Sequence, residues 1–376
     1  MNTPFSRRQI LGCSGGAAAG LLACGAAGAQ TESRSTKEAL INRSDDESGF
    51  VRLLFNENPY GPPESAKQAI RAAIDDSWSY GYKDVRSLRS LIAEQEGVRP
   101  DNVIITEGSG EILKIAGLVL GGGKEVISAR PTFTMLTEYA MRNGAQIRWV
   151  DLLKDMNIDL AAMEDRVTEG TGVVYICNPN NPTGLAIDSG ELRQFIGAMP
   201  QRVTVVVDEA YVEFTDKPRA NTVVDLVKSG MNVLVTRTFS KVYGMAGLRI
   251  GYGLGRPDII RRLEQRRISI PNRLGLRAAL ASYNDEVFLN HSRSMIRAGV
   301  DHTCSFFKEL GLQYLPTQTN FVLFNAERPA TDFYRYMSLR NILVAPRTDH
   351  LDTWVRVSIG RMEHMKMFSN SARGFF

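Results

Sequence analysis

Lys241 lies in the run Arg237-Thr238-Phe239-Ser240-Lys241-Val242-Tyr243-Gly244-Met245-Ala246-Gly247-Leu248-Arg249, directly after the apolar stretch 233–236. A lysine on a loop among hydroxyls, glycines and a second cation has the setting in which an amine loses its proton and becomes a Schiff-base nucleophile. The same two cations also fit a solvated surface loop. Thr238 and Ser240 add hydroxyl donors, and Arg249 adds a planar fork that matches a phosphate. Asp208 opens Asp208-Glu209-Ala210-Tyr211 at the end of a second aliphatic stretch, 203–207. An acid placed there suits a magnesium site in a P-loop nucleotidase, but that chemistry needs G-x-x-x-x-G-K-[ST]. In the candidate Gly121-Gly122-Gly123-Lys124 the first required glycine falls on Leu118 and Glu125 follows the lysine, so nucleotide hydrolysis is not expected.

Two further loops follow apolar stretches. Asn178-Pro179-Asn180-Asn181-Pro182-Thr183-Gly184 supplies side-chain amides held between prolines, or a plain connection. Glu107-Gly108-Ser109-Gly110-Glu111 opens a helical pattern, and small residues there leave backbone N–H groups and a positive dipole end free for a phosphate. A metal has no comparable set of ligands. Beyond residue 29 the cysteines are Cys177 and Cys304, neither at metal-ligand spacing, and both read as small hydrophobes with a mutual disulfide left open.

The elements that must position these loops are short apolar strands, 103–106, 125–128, 146–150, 172–177, 203–208 and 233–236, alternating with helical patterns. Such alternation predicts an α/β fold, a doubly wound, mostly parallel sheet whose ligands lie beyond the carboxyl ends of its strands. Ahead of it Pro62-Pro63 open a helix with Ala66, Ile70, Ala73 and Ile74 at helical spacing, and a second helix carries Leu88, Leu91 and Ile92. A long helix over 285–310 breaks the rhythm, and strands over 320–324, 342–345 and 354–358 around a helix predict a smaller α+β domain. The expected division is 30–79 contributing to the small domain, 80–275 as the large domain and 276–376 as the small one. The chain's 376 residues, at about 150 per domain, give ample core for this. With a net charge of +4 and no basic stripe interleaved with aromatics, a nucleic-acid partner is not expected.

Residues 1–29 read as an address. Ser6-Arg7-Arg8-Gln9-Ile10-Leu11 precedes an uncharged, Ala- and Gly-rich stretch that ends Ala27-Gly28-Ala29, the three parts of a twin-arginine (Tat) signal peptide. An uncleaved anchor is the alternative on length alone, and Leu21-Leu22-Ala23-Cys24 also fits lipidation at Cys24. The expected location is periplasmic or otherwise exported.

Taken in order, Asn56-Glu57-Asn58-Pro59-Tyr60-Gly61-Pro62, the N-P-T-G and D-E-A-Y segments, the Ser240-Lys241 to Arg249 segment and Trp354-Val355-Arg356-Val357-Ser358-Ile359-Gly360 are similar to fold-type I, class I/II aminotransferases, above all the histidinol-phosphate aminotransferase-like group. The resemblance implies a ping-pong transfer of an amino group between an amino acid, or related amine, and a 2-oxo acid through pyridoxal 5'-phosphate. It implies that Lys241 carries the cofactor and later moves the substrate proton. Asp208 would pair with the ring nitrogen, Asn181 and Tyr211 with the phenolic oxygen, and Phe133 would stack on the ring. Ser109, Gly110 and Glu111 at the helix start would hold the phosphate with Thr238, Ser240 and Arg249. Arg356, and with it Arg347 and Asn181, would bind substrate. Tyr80, with Tyr82 as the alternative, would reach the phosphate of a second subunit, which implies a homodimer with a shared active site. Decarboxylation, other lyase chemistry and cofactor binding without transfer stay open as alternatives, because they use the same cofactor.

Overall fold

The computed structural model describes residues 49–345 and 350–376, and the fold is that of the unit Phe50–Phe376. Residues 1–48, with Arg7, Arg8 and Cys24, and residues 346–349, with Arg347, lie outside the described residues.

The strands are β1 (Val51–Leu53), β2 (Val103–Thr106), β3 (Glu125–Arg130), β4 (Gln146–Asp151), β5 (Thr171–Cys177), β6 (Thr204–Asp208), β7 (Val233–Thr238), β8 (Gly251–Gly255), β9 (Phe321–Asn325), β10 (Ile342–Val344) and β11 (Trp354–Ser358). β2 to β8 form one sheet in the order β2-β8-β7-β6-β5-β3-β4. All neighbours pair parallel except β8, which runs antiparallel to β2 and β7. Alternate side chains enter two cores: Val174, Ile176, Val205, Val207, Val233 and Val235 on one face, Val173, Tyr175, Cys177, Val206 and Leu234 on the other. A sheet covered on both faces explains why its strands read as unbroken apolar runs.

Two strands have no counterpart in the sequence pattern. β8 reads Gly-Tyr-Gly-Leu-Gly, a composition depleted in strands, and its glycines are there for close approach. A Cβ on Gly251 would collide with the Ser109 amide, and one on Gly253 would press on Ile104 and Ile112. β1 is only three residues long and pairs parallel with β10, so the chain ahead of the large sheet joins strands from the C-terminal part. β9 and β11 form a separate antiparallel pair, and the long helix spans Glu286–Glu309. The helices Glu64–Ala73 and Tyr82–Glu96 both pack on helix Arg273–Ser282. Cys177 and Cys304 are both free thiols. Among the described residues no helix is long and apolar enough to cross a membrane.

Candidate active site

The carboxyl ends of β2, β3, β5, β6 and β7 converge on a cavity of about 340 Å³. Its walls include Ser109, Gly110, Phe133, Asn181, Asp208, Tyr211, Thr238, Ser240, Lys241, Arg249 and Arg356. The sheet thus delivers residues from Ser109 to Arg249 to one volume, as expected at strand ends of this architecture, and Arg356 joins them from β11.

Neighbours hold several of these side chains. Lys241 Nζ donates to the carbonyls of Phe55, at 3.1 Å, and Asn56, at 3.0 Å, and lies 5.6 Å from the centre of the Tyr211 ring. Burial, with Arg356 as a nearby like charge, lowers the ammonium from its ordinary 10.5 to about 8. Asp208, 2% exposed, ends β6 and accepts a 2.9 Å hydrogen bond from the Thr236 hydroxyl on β7. Burial raises its carboxyl to about 6, a rise that the Thr236 bond reduces. Asn180 fastens the Phe133 loop by accepting from Thr132 Oγ1 at 2.7 Å and donating to the Pro131 carbonyl. Asn181 Oδ1 accepts from Arg356 Nη1 at 2.5 Å, while Arg356 Nη2 donates to the Leu54 carbonyl at 2.7 Å. Arg356 Nε is buried and has no partner.

At the other end of the cavity the helix Ser109–Ala116 starts, where the first amides have no intrahelical acceptor. Thr238 Oγ1 bonds Ser240 Oγ at 2.9 Å, and Arg249, at φ 54°, bonds the Ala246 carbonyl and Ser240 Oγ. Gly108 stands at φ 81°, a conformation that favours glycine, and a Cβ there would also press on the Arg249 guanidinium at 2.6 Å. A helix start, two hydroxyls and a guanidinium form an anion cradle.

Not every candidate lines the cavity. The Glu111 carboxylate turns back to accept from the Glu107 amide at 2.7 Å, so only its place on the helix start bears on the cradle. Tyr80 and Tyr82 are 79% and 55% exposed and lie outside the lining. The sequence reading assigned no part to Phe55, Asn56, Glu57, Met135 or Cys177, which also line it. The Asn56-Glu57-Asn58-Pro59 motif was the available signal for two of these. A larger cavity, about 490 Å³, surrounds Arg237, but Arg237 is paired with Glu96 and Glu209, Arg193 with Asp225 and Arg293 with Glu286. Its one lining lysine, Lys228, closes the helix Val224–Lys228 rather than standing beside a helix start.

The donor set fits pyridoxal phosphate. An amine of lowered proton affinity, a buried acid, an aromatic ring, an anion cradle at one end and a guanidinium at the other are what the cofactor and a substrate carboxylate require. The comparisons agree. Residues 48–370 match the family described as aminotransferase class I and II. The chain is 36% identical over 329 residues to histidinol-phosphate aminotransferase of Moorella thermoacetica, covering 86% of this chain and 84% of that one. It is also 36% identical over 316 residues to the Bacillus subtilis (strain 168) histidinol-phosphate aminotransferase, covering 83% and 88%. The crystal structure of histidinol-phosphate aminotransferase from Sinorhizobium meliloti in complex with pyridoxal-5'-phosphate is similar at TM-score 0.82 and 28% identity, covering 90% of this chain and 93% of that one. L-threonine-O-3-phosphate decarboxylase from Porphyromonas gingivalis, at TM-score 0.73 and 21% identity, shares the fold alone. With family, fold and donor set in agreement, this chain belongs to the class I and II aminotransferases, the pyridoxal phosphate-dependent transaminases of fold type I.

Proposed function

We propose that the cavity around Lys241 is where this transaminase exchanges an amino group between an amino acid, or related amine, and a 2-oxo acid. The observation that carries the reading is Lys241 Nζ in one cavity with Asp208, the Ser109–Arg249 cradle and Arg356. Lys241 would hold the cofactor covalently, Asp208 its ring nitrogen, Asn181 and Tyr211 its phenolic oxygen, Phe133 its face, and Ser109, Gly110, Thr238, Ser240 and Arg249 its phosphate. When bound, pyridoxal phosphate supplies an electron sink for the pair left when an α-bond of the substrate breaks. Asp208 has a special requirement: it must be ionised to keep a ring nitrogen protonated, and a cationic partner favours that state against burial. Arg356 would offer its Nη1, with the second N–H of Nη2, to the substrate carboxylate, releasing or sharing Asn181 Oδ1. That grip orients the α-carbon, and the Lys241 amine, with a pKa near 8, removes and returns its proton around neutral pH.

The relatives' name does not fix the donor. An Arg7-Arg8 export signal supports a periplasmic or otherwise exported enzyme, where an amine other than histidinol phosphate is a natural candidate. The test is a half-reaction screen of the yellow protein against amino acids and histidinol phosphate, followed by a 2-oxo acid. Bleaching by a donor and recovery with the oxo acid are expected, with borohydride fixing the cofactor on Lys241. A yellow protein that no amine bleaches would establish cofactor binding without transfer, and a fixed adduct on another lysine would displace Lys241 from its role.

A further inference from the structure

Asn56 uses every polar atom it has. It is 2% exposed and stands at φ 56°, a left-handed conformation that asparagine tolerates better than most residues. Its backbone amide donates to Ser358 Oγ at 2.8 Å, and its carbonyl accepts from Lys241 Nζ at 3.0 Å and from Asn320 Nδ2 at 2.9 Å. Its side chain accepts from the Ser358 hydroxyl at Oδ1, at 2.9 Å, and donates from Nδ2 to Tyr211 Oη, at 3.0 Å. None of these partners is a sequence neighbour: Tyr211 follows β6, and Ser358 ends β11.

The direction of these bonds matters more than their number. Ser358 Oγ accepts the Asn56 N–H and gives its own proton to Asn56 Oδ1, which fixes the amide with Nδ2 toward the phenol. A phenol has one proton to donate. Because Tyr211 accepts from Asn56, that proton is left for an acceptor in the cavity. We infer that Asn56, oriented by Ser358, is a positioning residue that makes Tyr211 a hydrogen-bond donor toward the cofactor's phenolic oxygen. An aspartate at position 56 would do the reverse and draw the phenol proton to itself. The inference rests on the proposed placing of the cofactor against Tyr211 and Lys241.

The charged and titratable groups that face Tyr211 are Lys241 on the loop after β7, Asp208 on β6, Tyr175 and Cys177 on β5 and Arg356 on β11. None is altered by Asn56→Gly, which keeps the left-handed backbone and deletes only the amide. A hydroxyl that donates to an anionic oxygen stabilises the anion, so loss of its orientation raises the pH at which the chromophore gives up its proton.

The experiment is a pH titration of the visible absorbance of the loaded, substrate-free protein. Asn56→Gly is expected to raise the midpoint by roughly 0.5–1 pH unit, the scale of one hydrogen bond, and Ser358→Ala to shift it the same way. Asn56→Asp should raise it further. In a Tyr211→Phe background Asn56→Gly should add no shift, since the hydroxyl it orients is gone. Thermal melting of the cofactor-free variants gives the independent readout of folding. A lowered melting temperature with an unmoved midpoint makes Asn56 a structural brace and overturns the inference, as does an equal added shift on Tyr211→Phe. A wild-type protein that forms no titrating chromophore overturns the site reading beneath it as well.

Discussion

Asp208 shows how the site is set against the stability of the chain that carries it. Without cofactor, burial holds its carboxyl at about 6 against an ordinary 3.8, so between those values the native state retains a proton that the unfolded chain has lost. Stability from this group is therefore complete below pH 4 and falls as pH rises through 6, by on the order of 3 kcal/mol over about two pH units. Asp208→Asn has no such loss. Urea denaturation of the cofactor-free proteins should find the variant and wild type closest at pH 4 and the variant more stable at pH 7. Loaded with cofactor, the variant should instead be slower in the half-reaction by roughly 10²–10³, the scale of a lost charge-stabilising contact in an active site. Equal pH dependence in the two cofactor-free proteins would mean that Asp208 is not held protonated by burial.

Among the elements, β7 carries most of the arrangement because its side chains alternate between two tasks. Thr236 and Thr238 serve Asp208 and Ser240, while Arg237 points the other way, into bonds with Glu209 at 3.0 Å, Glu96 at 2.8 Å and Thr222 at 2.7 Å. Arg237 is 8% exposed and Glu209 fully buried, so removal of the guanidinium leaves carboxylates without their counter-charge. Arg237→Leu is expected to destabilise the protein by about 3–5 kcal/mol in urea denaturation, and Glu209→Gln in the same chain should recover part of that. A loss under about 1 kcal/mol would show that water or Thr222 satisfies the acids. The loop after Lys241 is fixed by a closer approach. A Cβ on Gly61 would lie 2.5 Å from the Tyr243 carbonyl, so the segment bearing Asn56 and the loop bearing Lys241 meet backbone to backbone.

At the scale of the whole molecule, the apolar side chains Ile74, Trp78, Tyr80 and Tyr82 are 51%, 86%, 79% and 55% exposed along one short stretch. Large apolar surface of this kind is a mark of association, and it supports the homodimer proposed from the sequence. Sedimentation should find a dimer, and Ile74→Ser with Trp78→Ser should shift it toward monomer and speed cofactor loss. Tyr80→Phe and Tyr82→Phe then separate which phenol reaches the second subunit's phosphate, by which one weakens cofactor retention. A wild-type monomer with full activity would remove the shared site. The twin-arginine proposal has its own readout: Arg7→Lys with Arg8→Lys should strand the loaded protein in the cytoplasm, and unchanged export would refute that route.

The amino-acid sequence by itself determined the pattern of apolar runs closed by chemistry: Asp208 after one, Asn181 beyond another, Ser109 after a third, Lys241 and Arg249 after a fourth. Such runs are legible because a strand buried on both faces is apolar throughout and its end is marked by the first polar residue. The order of these segments along the chain carried the family. β8 was not legible, since its glycines are chosen by the helix start and side chains pressed against them rather than by strand propensity. Nor was the part played by Asn56, whose partners Tyr211 and Ser358 are 155 and 302 positions away. Local pattern cannot report a hydrogen bond between residues that only packing brings together, and the direction of that bond was decided by the tertiary structure.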